Sequence, residues 1–196
     1  MNSSEDKRTL SKADDTLKQM SRNLKKRKVR LSFLRSLFVF VILLYLLFGF
    51  VFEIEIVHGD SMKNTLKNGD VALSLRNCKE YSVGDIVILK TNEKSDYVKR
   101  IVALPGDTVD IDPASGSLIR NGKTVSEPYA LGKTLPKDNG VTFPITLAVD
   151  EYFALGDNRP VSLDSRFFGP VPSTQIKAKL IWPSRSDYAI SSPLES

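Results

Sequence analysis

Apolar and polar residues divide this chain into two regimes. Leu37 to Phe52 is an unbroken run without charge, and Leu31 to Leu34 extends it across a single Arg35, whose guanidinium can snorkel to a headgroup layer. That makes roughly 20 residues, the length a spanning helix needs. Hydrophobicity on every side does not suit a buried core helix in a protein of 196 residues, so a span is predicted. From Phe52 the period falls to two. Phe52-Glu53-Ile54-Glu55-Ile56-Val57 alternates as a half-buried strand does. Short β-branched runs follow at Asp70 to Leu75, Asp85 to Lys90, Tyr97 to Ala103, Thr108 to Ile111, Ser117 to Arg120, Lys123 to Val125, Tyr152 to Leu155 and Ile176 to Trp182. Gly, Pro, Asn and Asp punctuate them, and Asn121-Gly122 between two of them is a strong hairpin signal. No helical periodicity of comparable strength follows Phe52. The predicted fold class is therefore mainly β, an antiparallel sheet domain with short helical turns behind one N-terminal transmembrane helix.

Charge refines this division. The chain carries a net +5, but residues 1 to 35 hold 11 Lys/Arg against 4 Asp/Glu, a net of +7, and the remainder 17 against 19, a net of −2. The basic excess thus belongs to the arm before the apolar run, which removes the main reason to suspect a nucleic-acid-binding domain. Basic residues before the span and an acidic balance after it predict a cytoplasmic N-terminus and an exterior domain. The predicted organisation is a basic cytoplasmic tail over 1–30, a transmembrane anchor over 31–52 and an extracytoplasmic β-rich domain over 53–196. Residues 1 to 15 read as a disordered tail, with a weak helical spacing at Leu17, Met20 and Leu24. Phe50-Val51-Phe52-Glu53-Ile54 lacks the small residues of a processing site, so the span is expected to be retained. Residues 112–150 are rich in Pro, Gly, Lys and Asn and read as a loop-rich insertion.

One cysteine, Cys78, excludes an intrachain disulfide framework, and one histidine, His58, leaves no usual zinc constellation. No metal and no cofactor is expected.

Three stretches carry candidate chemistry: Gly59-Asp60-Ser61-Met62-Lys63-Asn64-Thr65-Leu66, Tyr97-Val98-Lys99-Arg100-Ile101-Val102-Ala103-Leu104-Pro105-Gly106-Asp107, and Gly156-Asp157-Asn158-Arg159-Pro160-Val161-Ser162-Leu163-Asp164-Ser165-Arg166. A serine attacks an amide only when a base takes its proton. His58 lies three residues before Ser61, where the chain more often points the two side chains apart. A lysine serves if it is neutral, which from about 10.4 to about 7 means destabilising its ammonium by roughly 4.6 kcal/mol; burial supplies such shifts. On a strand over Tyr97 to Ala103, Lys99 shares a face with Tyr97, Ile101 and Ala103, while Arg100 projects to the other.

Together the three stretches resemble the boxes of the bacterial type I signal peptidases, membrane-bound serine proteases with a Ser-Lys dyad; the resemblance spans roughly 150 residues, and the short, disulfide-free exterior is similar to Gram-positive members. It implies a signal-peptidase-like fold, Ser61 as nucleophile and Lys99 as general base. It also implies Ser162 as the hydroxyl orienting the amine, Asp164 and Arg166 as a structural ion pair with Asp157 close by, and Met62 as a pocket wall. Two departures stand out. Asn64 replaces the proline of Ser-Met-x-Pro-Thr-Leu, which is expected to loosen the turn. Gly59 stands where some members carry a second serine, so the oxyanion is expected to rely on backbone N–H groups, chiefly that of Ser61.

The implied substrate is an exported preprotein, held in the lipid bilayer by its signal peptide and adding to an exposed strand edge; no nucleic acid partner is expected. A non-enzymatic assembly factor of the same fold, a chaperone for pili or surface polymers, is the alternative, and it needs neither Ser61 nor Lys99. A self-cleaving Ser-Lys repressor is disfavoured by the apolar span and the acidic exterior.

Overall fold

The computed structural model of the chain describes residues 3–91 and 95–182, with side chains from residue 17 onward. Contacts divide it into two compact units, residues 1–48 and 49–196. In the first, α1 (Ser3–Phe50) runs without a break. The polar arm expected as a tail over residues 1 to 15 is thus helical from Ser3, a correction; its Lys, Arg, Leu and Met residues are good helix formers, and no Gly or Pro interrupts them. From Leu17 to Phe50 this helix is long and apolar enough to cross a membrane.

The second unit is built on two antiparallel sheets. The larger contains β1 (Phe52–Ile56), β2 (Val71–Arg76), β3 (Ile86–Leu89), β4 (Tyr97–Ala103), β9 (Glu151–Leu155), β10 (Val171–Pro172) and β11 (Ile176–Trp182). Its strand order is β1-β2-β11-β3-β4-β9-β10. The smaller contains β5 (Thr108–Asp112), β6 (Ser117–Arg120), β7 (Lys123–Thr124) and β8 (Ile145–Thr146), ordered β7-β6-β5-β8. One turn of helix, α2 (Ser165–Phe168), and a 3-10 turn over Ser173–Gln175 complete it. The expected mainly antiparallel β class is what the chain adopts. Asn121 and Gly122 both have positive φ, 52° and 74°, as the two-residue hairpin requires.

Three apolar clusters hold the sheets. Val57, Met62, Leu66, Ile88, Val98 and Leu180 fill one face of the larger sheet. Val87, Leu89, Ile101, Tyr152, Val171 and Ile176 fill the other. Val102, Val109, Ile111, Leu118, Phe153 and Leu155 join the two sheets. Alternation along β4 divides its side chains between clusters, with Val98 in the first and Ile101 in the second.

In β1 the period is as expected, but its apolar face is the one in solvent. Ile54 and Ile56 are exposed, while Glu53 turns inward to Arg76 and Lys177 at 3.2 and 2.8 Å. Those ion pairs compensate the carboxylate for burial. Ile54 pairs with Leu73 and Leu73 with Trp182 across three strands, so the outward apolar residues are neighbours.

Candidate active site

Ser61 sits in a turn after β1 that two buried side chains fasten to the core. Met62 and Leu66 are 1% and 0% exposed, and the Met62 carbonyl accepts from the N–H groups of Thr65 and Leu66 at 2.9 and 2.8 Å. Asn64, within this turn, has φ of 100°, which a proline ring cannot adopt. Its Nδ2 donates to the Tyr129 carbonyl at 3.0 Å, so the turn expected to be loose is tied to the loop facing it.

The third box closes over the same turn. Asn158 N–H donates to the Ser61 carbonyl at 2.9 Å and its Nδ2 to the Asp60 carbonyl at 3.0 Å. Gly156 makes this approach possible: a Cβ there would lie 2.6 Å from the Ser61 carbonyl oxygen and would also run into Ser162 Oγ.

Lys99, from the middle of β4, is 2% exposed. Its Nζ lies 3.0 Å from Ser61 Oγ and donates to the Val98 carbonyl at 3.0 Å. The amine is also 5.1 Å from the centroid of the Tyr97 ring, which shares its face of the strand. Burial pulls the Lys99 ammonium down from its ordinary 10.5 to about 8, against the opposing charges of Asp164 and Asp157. Desolvation therefore wins, and about a tenth of the amine is neutral at pH 7.

Both carboxylates are already held by arginines. Arg166 grips Asp164 with Nε and Nη2, each at 2.9 Å. Arg100 grips Asp157 with Nε at 2.9 Å and Nη2 at 2.7 Å, and Thr65 Oγ1 donates to Asp157 as well. Arg100 thus points away from Lys99, as alternation along β4 implies. Asp164 also receives the Gly156 N–H at 3.1 Å and the Arg166 N–H at 3.2 Å, which caps α2. Arg159 is fully buried against Glu127, at 2.7 Å, and Thr134.

Ser61 and Lys99 are thus brought together, with Asp157, Asp164 and Arg166 packed behind them. Ser162 lies against Gly156, but its buried Oγ makes no hydrogen bond among the described residues, so the orienting contact expected between it and Lys99 is not formed here. Met62, expected as a pocket wall, lies in the core cluster with Val57, Leu66 and Val98. His58 is exposed on the rim and makes no hydrogen bond to Ser61 among the described residues. The cleft over the dyad has a volume of about 530 Å³, and its walls include Tyr97, Val98, Asn158, Val161 and Leu163. Beside it β9 pairs with β4 only from Arg100 onward, so no strand among the described residues covers that edge at Tyr97 to Lys99. Among the described residues no group of three His, Cys, Asp or Glu could hold a metal ion.

Sequence reasoning missed Arg100, Thr65, Glu127 and Arg159 as parts of this framework. Their partners lie 35 to 92 residues away or, for Glu127 and Arg159, 32, and no local pattern announces such pairs.

The family described as signal peptidase, peptidase S26, matches residues 30–184. Signal peptidase I S of Bacillus subtilis (strain 168) is 38% identical over 156 residues, covering 74% of this chain and 83% of that protein. Signal peptidase I of Bacillus licheniformis is 40% identical over 145 residues, 67% and 75% of the two chains. Signal peptidase IB of Staphylococcus aureus (strain Mu50 / ATCC 700699) is 33% identical over 178 residues, 80% of this chain and 92% of that one. A crystal structure of a signal peptidase I from Enterococcus faecalis V583 is similar at a TM-score of 0.41 and 29% identity, covering 51% of this chain and 96% of that chain.

Proposed function

The chain belongs to the signal peptidase family, peptidase S26, and from that premise we propose that Ser61 and Lys99 are the dyad with which it cuts. It is a membrane-anchored serine peptidase that removes signal peptides. The observation that carries the assignment of residues is the 3.0 Å separation of Lys99 Nζ from Ser61 Oγ, with the amine almost wholly buried.

Neutral Lys99 takes the Ser61 proton as Oγ attacks the scissile carbonyl. The charge that develops on the carbonyl oxygen falls to the Ser61 N–H, since Gly59 offers no hydroxyl. The ammonium formed at Lys99 is held by the Val98 carbonyl and the field of Asp164 and Asp157, and it returns its proton to the departing amine. Water then releases the acyl group from Ser61 by the reverse sequence. Ser162 Oγ, buried against Gly156, is the hydroxyl that would orient the amine.

Substrate enters extended along the open β4 edge at Tyr97 to Lys99, ahead of the cut, with small side chains against Val98. The substrates are preproteins bearing signal peptides, and the bilayer holds enzyme and substrate together. The basic arm lies on the cytoplasmic side and the β domain outside.

Ser61→Ala and Lys99→Ala are each expected to abolish cleavage of a preprotein in membranes, and His58→Ala to leave most of it. EDTA is expected to have no effect. A His58→Ala enzyme as inactive as Ser61→Ala would return the reaction to a histidine base and overturn the assignment.

A further inference from the structure

Past Tyr97 the cleft opens into a second groove of about 430 Å³, whose apolar walls are Leu89, Tyr97, Leu163, Phe167, Phe168 and Val171. Tyr97 and Leu163 line both spaces, so the two are continuous. The Tyr97 ring centroid lies 5.1 Å from Lys99 Nζ and 6.4 Å from that of Phe168, on which the ring stacks, so one ring links the reaction centre to the groove. Leu163, Phe167 and Phe168 keep 41%, 46% and 41% of their surface exposed, and no step at Ser61 or Lys99 uses them. Two of the three are nonetheless held by rigid parts: Phe167 and Phe168 belong to α2, which Asp164 caps and the Asp164–Arg166 pair anchors.

Which substrate residue reaches this groove follows from its path along β4. A polypeptide extended beside the open edge at Tyr97 to Lys99, ahead of the cut, alternates its side chains as the strand does. Val98 turns to the face of Met62 and Leu66, while Tyr97 and Lys99 share the other. When the first and third residues before the cut set small side chains against Val98, the second must turn to the Tyr97 face. Distance along the edge agrees. The cut lies level with Lys99, whose amine meets Ser61 Oγ at 3.0 Å, and two residues back, about 6.6 Å at a strand's rise, lies Tyr97. Resting on the dyad reading above, we infer that the Tyr97–Leu163–Phe168 groove is a subsite for a bulky apolar side chain at the second place before the scissile bond. Its occupant is the substrate polypeptide itself, because the groove is continuous with the cleft that holds the cut.

The test uses the full-length protein in detergent and a peptide series. Ala occupies the first and third places before the cut throughout, and Ala or Phe occupies either the second place before the cut or the first place after it. At the second place before the cut Phe is expected to raise kcat/KM over Ala on the order of tenfold, as partial burial of an aromatic ring supplies. After the cut the same exchange is expected to change little. Phe168→Ala should bring the ratio at the second place close to one, and Leu163→Ala, which leaves α2 whole, should do the same if the first variant does not fold. A general loss of folding lowers both rates and leaves the ratio in place, so the ratio separates a subsite from a merely structural role. The inference is overturned if the wild type shows no preference for Phe at the second place, if a folded variant keeps that preference, or if the preference falls after the cut instead. Cleavage of the all-Ala peptide keeps these failures distinct: its absence in the wild type would sink the peptidase reading, and the subsite with it.

Discussion

Burying a lysine next to a nucleophile has a thermodynamic signature independent of catalysis. In the folded chain Lys99 titrates at about 8, against 10.5 for an ordinary lysine. Below pH 8 the amine is protonated in both states, and folding bears the full cost of burying the ammonium, about 3 kcal/mol. Between pH 8 and 10.5 the unfolded chain still binds the proton while the folded chain has released it, so this cost shrinks as pH rises. Above 10.5 it has vanished. Lys99→Met keeps an unbranched side chain of similar size and removes the charge. It also removes the donor to the Val98 carbonyl and the contact with Ser61 Oγ, an offset of about 1 kcal/mol. The inactive variant should therefore be more stable than wild type by about 2 kcal/mol at pH 6.5, with the gap closing between pH 8 and 10.5. Urea unfolding of the full-length proteins in one detergent, followed by Trp182, the single tryptophan, measures it. A difference that stays constant with pH, or a variant less stable at pH 6.5, would refute the argument that desolvation sets the titration of Lys99.

The same titration predicts that kcat/KM for a peptide rises with pH through an inflexion near 8, the folded-state value of the Lys99 amine. Arg100→Gln should move that inflexion upward, because an unmasked Asp157 favours the ammonium; an unchanged or lower inflexion in a folded variant would count against it. Asn64→Pro, the residue expected from the family box, cannot reach φ of 100° and loses the bond to Tyr129. It should lower kcat/KM by at least tenfold, and unchanged or higher activity would show that the Asn64 turn is not built for this chain. For the anchor, β1 begins at Phe52, so a flexible polar insert of roughly 30 residues belongs between Phe50 and Val51. It should leave cleavage of free peptides little changed and slow processing of membrane-held preproteins; equal rates for both would make the helix a simple tether.

How much of this was legible in the sequence depends on how local each feature is. The bounds of β4 and β11 follow from alternation and β-branched content, and both match the expected strands, Tyr97 to Ala103 and Ile176 to Trp182. β8 and β10 are two residues each and have no period to read. α2 owes its single turn to the Asp164 cap, and four residues are too few for a helical pattern. In β1 alternation gave the strand but not its direction, since Arg76 and Lys177 decide which face turns inward. Ser61 and Lys99 were reached through the resemblance of three boxes. The pairs that surround them depend on register across sheets, and Arg100 meets Asp157 at a sequence separation of 57.

That framework explains how the dyad lysine remains low beside two carboxylates. Asp164 and Asp157 both favour the Lys99 ammonium, and two unscreened negative charges in a site this dry would restore its proton. Each is engaged by a buried guanidinium through two hydrogen bonds, which offsets part of its pull on the lysine. Burial of the amine then decides the outcome. The pairs are themselves of little use to stability, because the desolvation of four buried charges consumes most of their attraction. Their value lies in geometry. Asp157 holds Thr65 of the nucleophile turn to Arg100 of the strand that carries the base, and Asp164 fixes Gly156 and α2 against the same strand end. The pairs that temper the field at Lys99 are thus also those that set Ser61 within 3.0 Å of it.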